Sequence, residues 1–363
     1  MTNKTTKNKI LVSNATLGSG GAERVLSILS KPLADKYDVT FVLWLDAPFF
    51  FQIDERIKTV VIPKEIGSND ELKRMRWFRR FVKKEKPDFI LSFLEPWNIR
   101  VLLSVMGLDV KTIVAERNDP RSVNGNWMVS QFEKLVYRKA DRILVQTATI
   151  KKFFDGQLAS RTDIIYNPVN IIDEMVGMAL HTPQKKRIVS VARLTAQKKH
   201  DVLIRAFARF YQVYPDYTLT IYGNGPQKEE LKQLATELGV GDKVLMPGVS
   251  KTVHQDILDA EMFCLVSERE GMSNAMIEAM CLGLPCICSK VSGAIDLIDH
   301  GRNGLLVEIG DEEALYQEMC RVADDKDFAR RIGMEASQLY KILRTDRIAK
   351  QWTDYIDDFI NHR

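Results

Sequence analysis

Two glutamates, Glu270 and Glu278, flank the predicted start of a helix in the run S-E-R-E-G-M-S-N-A-M-I-E, residues 267–278. The apolar run before them, residues 262–266, is typical of a buried strand. Ser273 is the predicted N-cap, because its hydroxyl can accept a hydrogen bond from an N–H group of the first turn. A helix N-terminus offers free N–H groups and partial positive charge, which suit a phosphate. Two carboxylates beside such an anion seat suit a sugar nucleotide, although two solvated glutamates at an ordinary strand-helix joint would show the same spacing.

The same stretch, continued as E-G-M-S-N-A-M-I-E-A-M-C-L-G-L-P, resembles the paired-glutamate signature of the retaining glycosyltransferases of family four almost residue for residue. The resemblance implies the two-domain GT-B fold. It also implies that Glu270 contacts the donor sugar and Glu278 the ribose. Four further residues are expected to contact the sugar donor, because their backbone N–H groups would face its diphosphate: Gly271, Met272, Ser273 and Asn274.

A chain of 363 residues is long for a single core, so two domains are expected. Apolar residues make up 45% of the chain, which favours packed globular domains. No apolar run reaches the roughly 20 residues that span a bilayer, and no signal-peptide pattern is present, so a cytoplasmic protein is expected. The five cysteines lie mostly in apolar runs, as reduced core thiols do, and no metal site is predicted.

Strand and helix patterns alternate along the chain, which predicts doubly wound α/β domains. Residues 1–169 form the first, residues 187–345 the second, and residues 170–186, which show no clear period, the linker. The amphipathic run 346–363 is expected to return to the first domain, as in the family. The expected fold is therefore GT-B, in which two Rossmann-like domains face each other across a cleft, with the donor mainly on the second and the acceptor mainly on the first.

Two cations, Arg193 and Lys198, follow the first predicted strand of the second domain. Loops at this position line the ligand crevice of an open parallel sheet, and two cations there could neutralise a diphosphate. Solvated loop cations are the alternative. Their spacing resembles that of the family's Arg and Lys that hold the donor diphosphate, although Lys199 stands where the family usually has glycine. Glu270, Arg193 and Lys198 are thus the predicted catalytic residues.

Further donor contacts are expected from a glycine loop and a turn. Gly20 and Gly21 lie in T-L-G-S-G-G-A-E-R, where glycine lets the backbone approach a ligand closely, although a tight turn would need the same residues. They resemble the family's N-terminal glycine loop, which faces the donor across the cleft. In the family the nucleotide base packs by backbone contacts near the turn that contains Val249 here.

Acceptor-side residues are expected after strands of the first domain, where Glu95 and Asn98 are candidates by position. Many family members carry a histidine at this crevice, but residues 1–169 contain none. The run Glu116-Arg117-Asn118 resembles the version found in a subset that builds bacterial surface and lipid-linked glycans. These three residues are the predicted acceptor-side groups, and the sequence does not separate the roles of Glu116 and Arg117.

Residues 72–86 contain eight cations and a single acid, Glu85. Apolar residues recur at three and four positions, which predicts an amphipathic helix with a basic face. A solvated surface helix is one interpretation, and attraction to an anionic membrane surface or a lipid diphosphate is the other. Charge alone would also fit nucleic acid, which nothing else supports. The apolar face is assigned to Leu72, Met75, Phe78 and Val82, and the membrane contacts to Arg76, Arg79, Arg80 and Lys83. A second apolar run, residues 47–51, is expected to be buried, and contact with a membrane is the alternative.

The sequence thus predicts a retaining, metal-independent hexosyltransferase that needs no cofactor. Its donor would be a nucleotide sugar, UDP-hexose or UDP-N-acetylhexosamine, and its acceptor a glycan linked to polyprenyl diphosphate in bacterial capsule, polysaccharide or glycoconjugate biosynthesis. Cations and helix N–H groups would stabilise the leaving diphosphate. The expected location is peripheral, on the inner face of the cell membrane. A nucleotide-sugar epimerase of the same fold and a non-catalytic sugar-nucleotide binding module remain as alternatives.

Overall fold

The structure, a computed structural model, describes residues 7–18, 20–67, 70–120 and 127–361. The chain divides into two compact units: Met1–Pro168 with Thr345–Arg363, and Val169–Arg344. Residues 170–186, expected as a linker, lie within the second unit and contain two 3-10 helices, Asp173–Met175 and Met178–Leu180. The second unit begins and ends at adjacent points, because Val169 N donates to Leu343 O at 2.8 Å.

The first unit contains a parallel sheet with the strand order β3-β2-β1-β4-β5-β6-β7. Its central strands are continuous apolar runs, as expected for a sheet covered by helices on both faces; all five residues of F-I-L-S-F are buried. The strands are β1 (Lys9–Asn14), β2 (Asp38–Leu43), β3 (Lys58–Val61), β4 (Phe89–Phe93), β5 (Lys111–Ala115), β6 (Arg142–Val145) and β7 (Thr162–Ile164).

Helices cover both faces of this sheet. They are α1 (Gly21–Lys36), α2 (Glu71–Glu85), α3 (Glu95–Val105), α4 (Trp127–Tyr137), α5 (Ala148–Lys151) and α14 (Thr345–Asn361). The last of these packs on α1, and its Trp352 is fully buried with its ring stacked on Phe93 at a centroid distance of 5.7 Å. The first unit therefore takes part of its core from residues that follow the entire second unit in the chain.

Two expectations about apolar side chains in the first unit are wrong. Leu72 is 65% exposed, so the apolar face of α2 consists of Met75, Phe78 and Val82 without it. Phe49 and Phe50 are 50% and 56% exposed, although burial was expected for this run. In both cases the side chain is apolar and stands at a spacing typical of core residues, but no neighbouring element covers it.

The second unit contains a parallel sheet with the order β10-β9-β8-β11-β12-β13. Its strands are β8 (Lys185–Val191), β9 (Thr218–Tyr222), β10 (Val244–Gly248), β11 (Ala260–Leu265), β12 (Cys286–Ser289) and β13 (Leu305–Val307). Its helices are α6 (His200–Val213), α7 (Lys228–Glu237), α8 (Val253–Asp256), α9 (Asn274–Leu282), α10 (Ser292–Leu297), α11 (Glu312–Asp324), α12 (Lys326–Ser337) and α13 (Tyr340–Leu343).

The strand order reverses once in each sheet, between β1 and β4 in the first unit and between β8 and β11 in the second. Ligands of open parallel sheets bind outside the carboxyl ends of the strands at such switch points. The prediction of two doubly wound α/β units is confirmed. Within the described ranges, no helix is both long and apolar enough to span a membrane.

Candidate active site

In the second unit, the loop between β11 and α9 carries the predicted donor-binding residues. Ser273 is the N-cap of α9 as predicted, because its hydroxyl accepts a hydrogen bond from Met276 N at 3.4 Å. Gly271 and Met272 are buried, whereas Ser273 and Asn274 are half-buried. Short polar side chains and a glycine thus bring the N-terminus of an otherwise buried, apolar helix to the carboxyl edge of the sheet.

A close contact with the neighbouring helix α10 fixes this loop. A Cβ atom at Gly293 would lie 2.6 Å from Gly271 O and 2.8 Å from the Cα atom of Met272, too close for any side chain. The glycine at 293 therefore allows the loop and α10 to pack directly backbone against backbone.

Glu270 and Lys198 form an ion pair with each other. The side chains are only 13% and 12% exposed, and Ser267 Oγ also donates to Glu270 Oε1 at 3.0 Å. The loop of Lys198 is tied to the same segment, since Gln197 Nε2 donates to Arg269 O at 2.8 Å and Glu268 N to Gln197 O at 2.8 Å. The structure therefore brings Glu270 and Lys198 together at the switch point of the sheet.

Arg193 lies on the same loop as Lys198 and is exposed. Within the described residues its guanidinium has no hydrogen-bond or ion-pair partner. Its backbone is well supported, because Leu194 N donates to Asn224 O at 2.9 Å in the G-N-G-P turn after β9. A fixed backbone with a free cation at the switch point is suited to an anionic ligand.

Glu278, the second glutamate of the pair, lies inside α9 and is 4% exposed. Its Oε2 atom is 3.0 Å from Nε2 of His254, on the short helix α8. Val249, expected near the nucleotide base, follows β10 and is 63% exposed. Three elements thus meet on one side of the loop between β11 and α9, here called the donor loop. They are the turn that follows β10, the helix α8 and the inner part of α9.

In the first unit, the predicted glycine loop precedes α1. Gly20 is the N-cap of α1 and Gly21 its first residue. The carboxylate of Glu23 lies directly over Gly20, in the space that a Cβ atom would occupy, and accepts a hydrogen bond from Thr16 Oγ1 at 3.3 Å. A side chain of the helix itself therefore places negative charge at this helix N-terminus.

Glu116 and Arg117, which directly follow β5, have separate environments. Glu116 is fully buried; its Oε1 accepts from Arg117 N at 2.9 Å and Asn118 N at 3.1 Å, and its Oε2 accepts from Tyr137 Oη at 2.7 Å. Burial raises the pKa of Glu116 to about 7, although these hydrogen bonds oppose the shift. Asn118 is exposed. Glu116 thus fixes the turn and the hydroxyl of Tyr137. A ligand could bond to this carboxylate only by displacing one of these buried hydrogen bonds.

The guanidinium of Arg117 lies against a stacked pair of aromatic rings, 5.0 Å from the centroid of Phe93 and 5.2 Å from that of Trp352. Its Nη1 donates to Asn167 Oδ1 at 3.3 Å, whereas Nε and Nη2 have no partner among the described residues. The residue is 7% exposed, and burial lowers its pKa to about 9, so it is still a cation at neutral pH. Nε and Nη2 are therefore buried donors of a desolvated cation that no described residue pairs, and such donors favour an anion.

The other two candidates of the first unit, Asn98 and Glu95, lie at or near the start of α3. Asn98 is buried and donates to Ala115 O at 3.2 Å and Tyr137 Oη at 3.1 Å. Glu95 is half-buried, and burial raises the pKa of its carboxyl group.

The basic helix α2 presents three of its four predicted membrane residues to solvent. Arg76, Arg80 and Lys83 are exposed, but Nη1 of Arg79 donates to the carbonyls of Ser104 and Met106 at 2.9 and 2.8 Å. Arg79 therefore caps the carboxyl end of α3, where a cation also complements the helix dipole. No group of three or more potential metal ligands was found among the described residues.

Two family models match the chain in succession. The model described as Glycosyltransferase Family 4 matches residues 19–172, and that described as Glycosyl transferases group 1 matches residues 175–339. The protein is a family-four-like glycosyltransferase. The predicted resemblance is thereby confirmed.

This glycosyltransferase is similar along its length to two enzymes of Campylobacter jejuni. One is GalNAc-alpha-(1->4)-GalNAc-alpha-(1->3)-diNAcBac-PP-undecaprenol alpha-1,4-N-acetyl-D-galactosaminyltransferase, 26% identical, with 97% of this chain and 99% of the relative covered. The other is N-acetylgalactosamine-N,N'-diacetylbacillosaminyl-diphospho-undecaprenol 4-alpha-N-acetylgalactosaminyltransferase, 29% identical, with 94% and 97% covered.

Among solved structures, the glycosyltransferase is similar to Anabaena HepE in complex with UDP and glucose. The TM-score is 0.81 at 20% identity, with 96% of this chain and 99% of that chain covered. At this identity the likeness shows the fold, which is GT-B as predicted.

Four residues of the candidate sites were not predicted: Gln197, His254, Ser267 and Tyr137. Gln197 is next to Lys198 and Ser267 is three residues before Glu270, so a search of the flanking polar residues would have found them. His254 and Tyr137 lie on other helices, and no local pattern connects them to Glu278 or Glu116.

Proposed function

We propose that this glycosyltransferase transfers a hexose or N-acetylhexosamine from a UDP-sugar to a glycan acceptor on polyprenyl diphosphate, with retention of anomeric configuration and without a metal ion. The observation that carries the proposal is the donor loop at the switch point of the second sheet. There Arg193, whose guanidinium no described residue pairs, lies on the same loop as Lys198, and Lys198 pairs with Glu270 just before the N-terminus of α9. This arrangement offers positive charge to a diphosphate and a carboxylate to sugar hydroxyls.

Charge stabilisation of the leaving diphosphate is the proposed source of catalysis. Arg193, Lys198 and the N–H groups of the turn before α9 would bind the diphosphate more strongly as its bond to the sugar breaks. Glu270 is held by Lys198 and Ser267 and is therefore better suited to accept hydrogen bonds from sugar hydroxyls than to attack the anomeric carbon. The acceptor hydroxyl would attack from the face that the diphosphate leaves, and the leaving phosphate oxygen would take its proton.

The donor is tested by thermal unfolding with a panel of UDP-, GDP- and ADP-sugars. A ligand that binds only the folded state raises its stability by RT ln(1 + [L]/Kd), so the preferred donor gives the largest shift. We expect a UDP-sugar to stabilise the wild type and Arg193→Ala to remove the shift, while Arg205→Ala, which truncates an exposed arginine of α6, retains it. A shift that survives Arg193→Ala would contradict the proposed diphosphate contact.

Metal independence and retention are tested on the reaction itself. We expect turnover to be unchanged after extensive treatment with EDTA, and the product formed from an α-linked donor to be the α-anomer by NMR. Release of UDP that depends on added acceptor distinguishes transfer from epimerisation and from simple binding.

The proposed acceptor contact is Arg117. The names of both Campylobacter relatives include an acceptor joined to undecaprenol through a diphosphate. A buried cation with two N–H groups that no described residue pairs suits such a diphosphate, and the planar guanidinium fits two phosphate oxygens better than an ammonium does. We expect Arg117→Met to raise the acceptor KM at least about tenfold with an unchanged donor Kd, because a charge-assisted hydrogen bond is lost. Equal loss for donor and acceptor would contradict this assignment.

Attachment to the inner membrane surface is proposed from two helices that flank α3. Helix α2 exposes Arg76, Arg80 and Lys83. Helix α4, which also packs on α3, exposes a stripe of apolar side chains. The stripe consists of Met128 (68% exposed), Val129 (39%), Phe132 (51%) and Leu135 (56%). Exposed cations next to exposed apolar side chains are typical of a surface that lies on anionic lipid.

Liposome flotation tests the attachment. We expect the wild type to float with anionic vesicles and not with neutral ones, and the triple change Arg76→Gln, Arg80→Gln, Lys83→Gln to weaken it several-fold, since each cation near an anionic surface contributes about 1 kcal/mol. The matched control removes three exposed cations of the second unit, Arg205, Lys232 and Arg330. Equal loss in both triple variants would mean that net charge, and not this surface, determines binding.

A further inference from the structure

His254 and Glu278 form a contact that the donor-site assignment leaves unexplained. His254 Nε2 is 3.0 Å from Glu278 Oε2, with the two side chains 19% and 6% exposed. Helix α8, which carries His254, packs on α9, which carries Glu278. The pair therefore connects two helices at the place where the ribose of the donor is expected.

Helix α8 is itself held in place by contacts on both sides. Ser250 Oγ accepts from Thr252 N at 3.0 Å and bonds to the carboxylate of Asp256, the last residue of α8. Arg187, on β8, donates to the carbonyl of Asp256. The imidazole is therefore presented from a backbone that these contacts hold in place.

We propose that His254 is a positioning residue that orients the carboxylate of Glu278 toward the ribose hydroxyls, and so determines how strongly the enzyme prefers ribonucleotides to deoxyribonucleotides. This inference rests on the proposed nucleotide-sugar donor. Nε2–H of the imidazole donates to Oε2 of Glu278, a charge-assisted hydrogen bond that selects one rotamer of the carboxylate. Without that donor the carboxylate takes other rotamers, and its hydrogen bonds to ribose hydroxyls become weaker.

The test compares the affinities of UDP, 2′-deoxy-UDP and 3′-deoxy-UDP by isothermal titration calorimetry. In the wild type we expect removal of a ribose hydroxyl to weaken binding at least about tenfold, as expected for a hydrogen bond to a charged group. In His254→Leu the ratio of ribo- to deoxyribonucleotide affinity should fall to less than about threefold. His254→Gln should restore most of the ratio, because its amide nitrogen occupies nearly the same position as Nε2 and is also a donor.

Two further variants separate this inference from the proposed function. His181→Leu, which removes an exposed histidine without side-chain contacts among the described residues, should behave as the wild type. Glu278→Gln should lose the preference if the ribose binds at Glu278. A preference that disappears in Glu278→Gln but persists in His254→Leu would overturn the role of His254 and leave the donor site intact. A preference that persists in both would overturn the placement of the ribose as well.

A folding defect in His254→Leu is recognised by its thermal unfolding curve. In that case the His254→Gln variant is the deciding one. It keeps a hydrogen-bond donor at the position of Nε2, which the proposed role of His254 requires and a purely structural role does not. Loss of the preference in a well-folded His254→Gln protein would overturn the inference.

Discussion

At the residue scale, Glu116 and Arg117 are chemically complementary neighbours with different roles. Both oxygens of Glu116 already accept hydrogen bonds from the protein, whereas two N–H directions of Arg117 have no partner in the described structure. The sequence could not separate them, because the difference depends on Tyr137 in α4, 21 positions after Glu116, and on the rings of Phe93 and Trp352. Of the two, Arg117 is the residue suited to bind substrate.

The raised pKa of Glu116 predicts a pH-dependent effect on stability. Its pKa is about 7 in the folded protein and near 4.5 in the unfolded chain, so between these values the folded state holds more protons and stability falls as pH rises. Glu116→Gln removes this ionisation, so the variant does not lose this stability as pH rises. The free energy of unfolding of the variant minus that of the wild type should therefore be about 2 kcal/mol larger at pH 8 than at pH 5. Urea denaturation at the two pH values measures the difference, and a difference of the opposite sign would contradict a buried, raised pKa.

The ion pair of Lys198 and Glu270 allows stability and activity to be separated. Lys198→Met leaves the carboxylate of Glu270 largely buried without its cation, which should cost about 2 kcal/mol of unfolding free energy. The double variant Lys198→Met, Glu270→Gln should recover most of this stability but remain inactive, because both donor contacts are lost. Chemical denaturation and turnover are the measurements. Recovery of activity in the double variant would show that the pair has only a structural role.

At the element scale, the turn between β8 and α6 explains a departure from the family pattern. Lys199 stands where glycine is usual, and it has φ 50° and ψ 37°, in the left-handed region that glycine adopts without strain. The turn thus keeps the glycine conformation with a lysine side chain in place. The left-handed backbone conformation is required by the start of α6, whatever the charge of the side chain at this position.

This conformation predicts that Lys199→Gly is tolerated or stabilising. Relief of left-handed strain offsets the greater entropy loss of glycine, for a net gain of up to about 1 kcal/mol in unfolding free energy. Lys199→Val should be destabilised, since a β-branched side chain fits this region poorly. The matched control Lys232→Gly lies within α7 and should lose about 1 kcal/mol. Thermal or urea unfolding of the three variants gives the comparison.

Local patterns predicted some elements well and others poorly, for identifiable reasons. The cap of α9 at Ser273 and the strand before it were predicted because a buried apolar run and a polar cap are readable within a dozen residues. Leu72 and Phe50 were misplaced because their spacing and apolarity are those of core residues, and only the packed structure shows that no layer covers them. The His254–Glu278 contact joins two helices separated by a strand, so no periodicity could reveal it.

At the scale of the whole molecule, the second unit is an insertion into the first. Its ends adjoin, with Val169 N bonded to Leu343 O, and one hydrophobic cluster within it includes residues from Ile188 to Ile332 without contribution from the first unit. A domain with adjoining ends and its own core can fold alone. The donor-binding candidates Arg193, Lys198 and Glu270 all belong to it.

Residues 169–344 expressed alone should therefore fold cooperatively and retain binding to the preferred nucleotide diphosphate, with weaker affinity than the full chain if residues of the first unit also contact the donor. Circular dichroism during thermal unfolding tests the fold, and calorimetric titration with UDP tests the site. An Arg193→Ala version of the fragment is the control and should not bind. A folded fragment without any affinity would mean that the proposed donor contacts of the second unit are insufficient.

The return of α14 to the first unit has a consequence for the order of folding during synthesis on the ribosome. Trp352, Ile348 and Ile356 complete the first unit's core, yet they are translated after the whole of the second unit. Domains generally fold as units and in order from the N-terminus, but here the unit translated first lacks part of its core until α14 emerges. The second unit is complete earlier, so the nascent chain should fold its second unit first and complete the core of the first unit last.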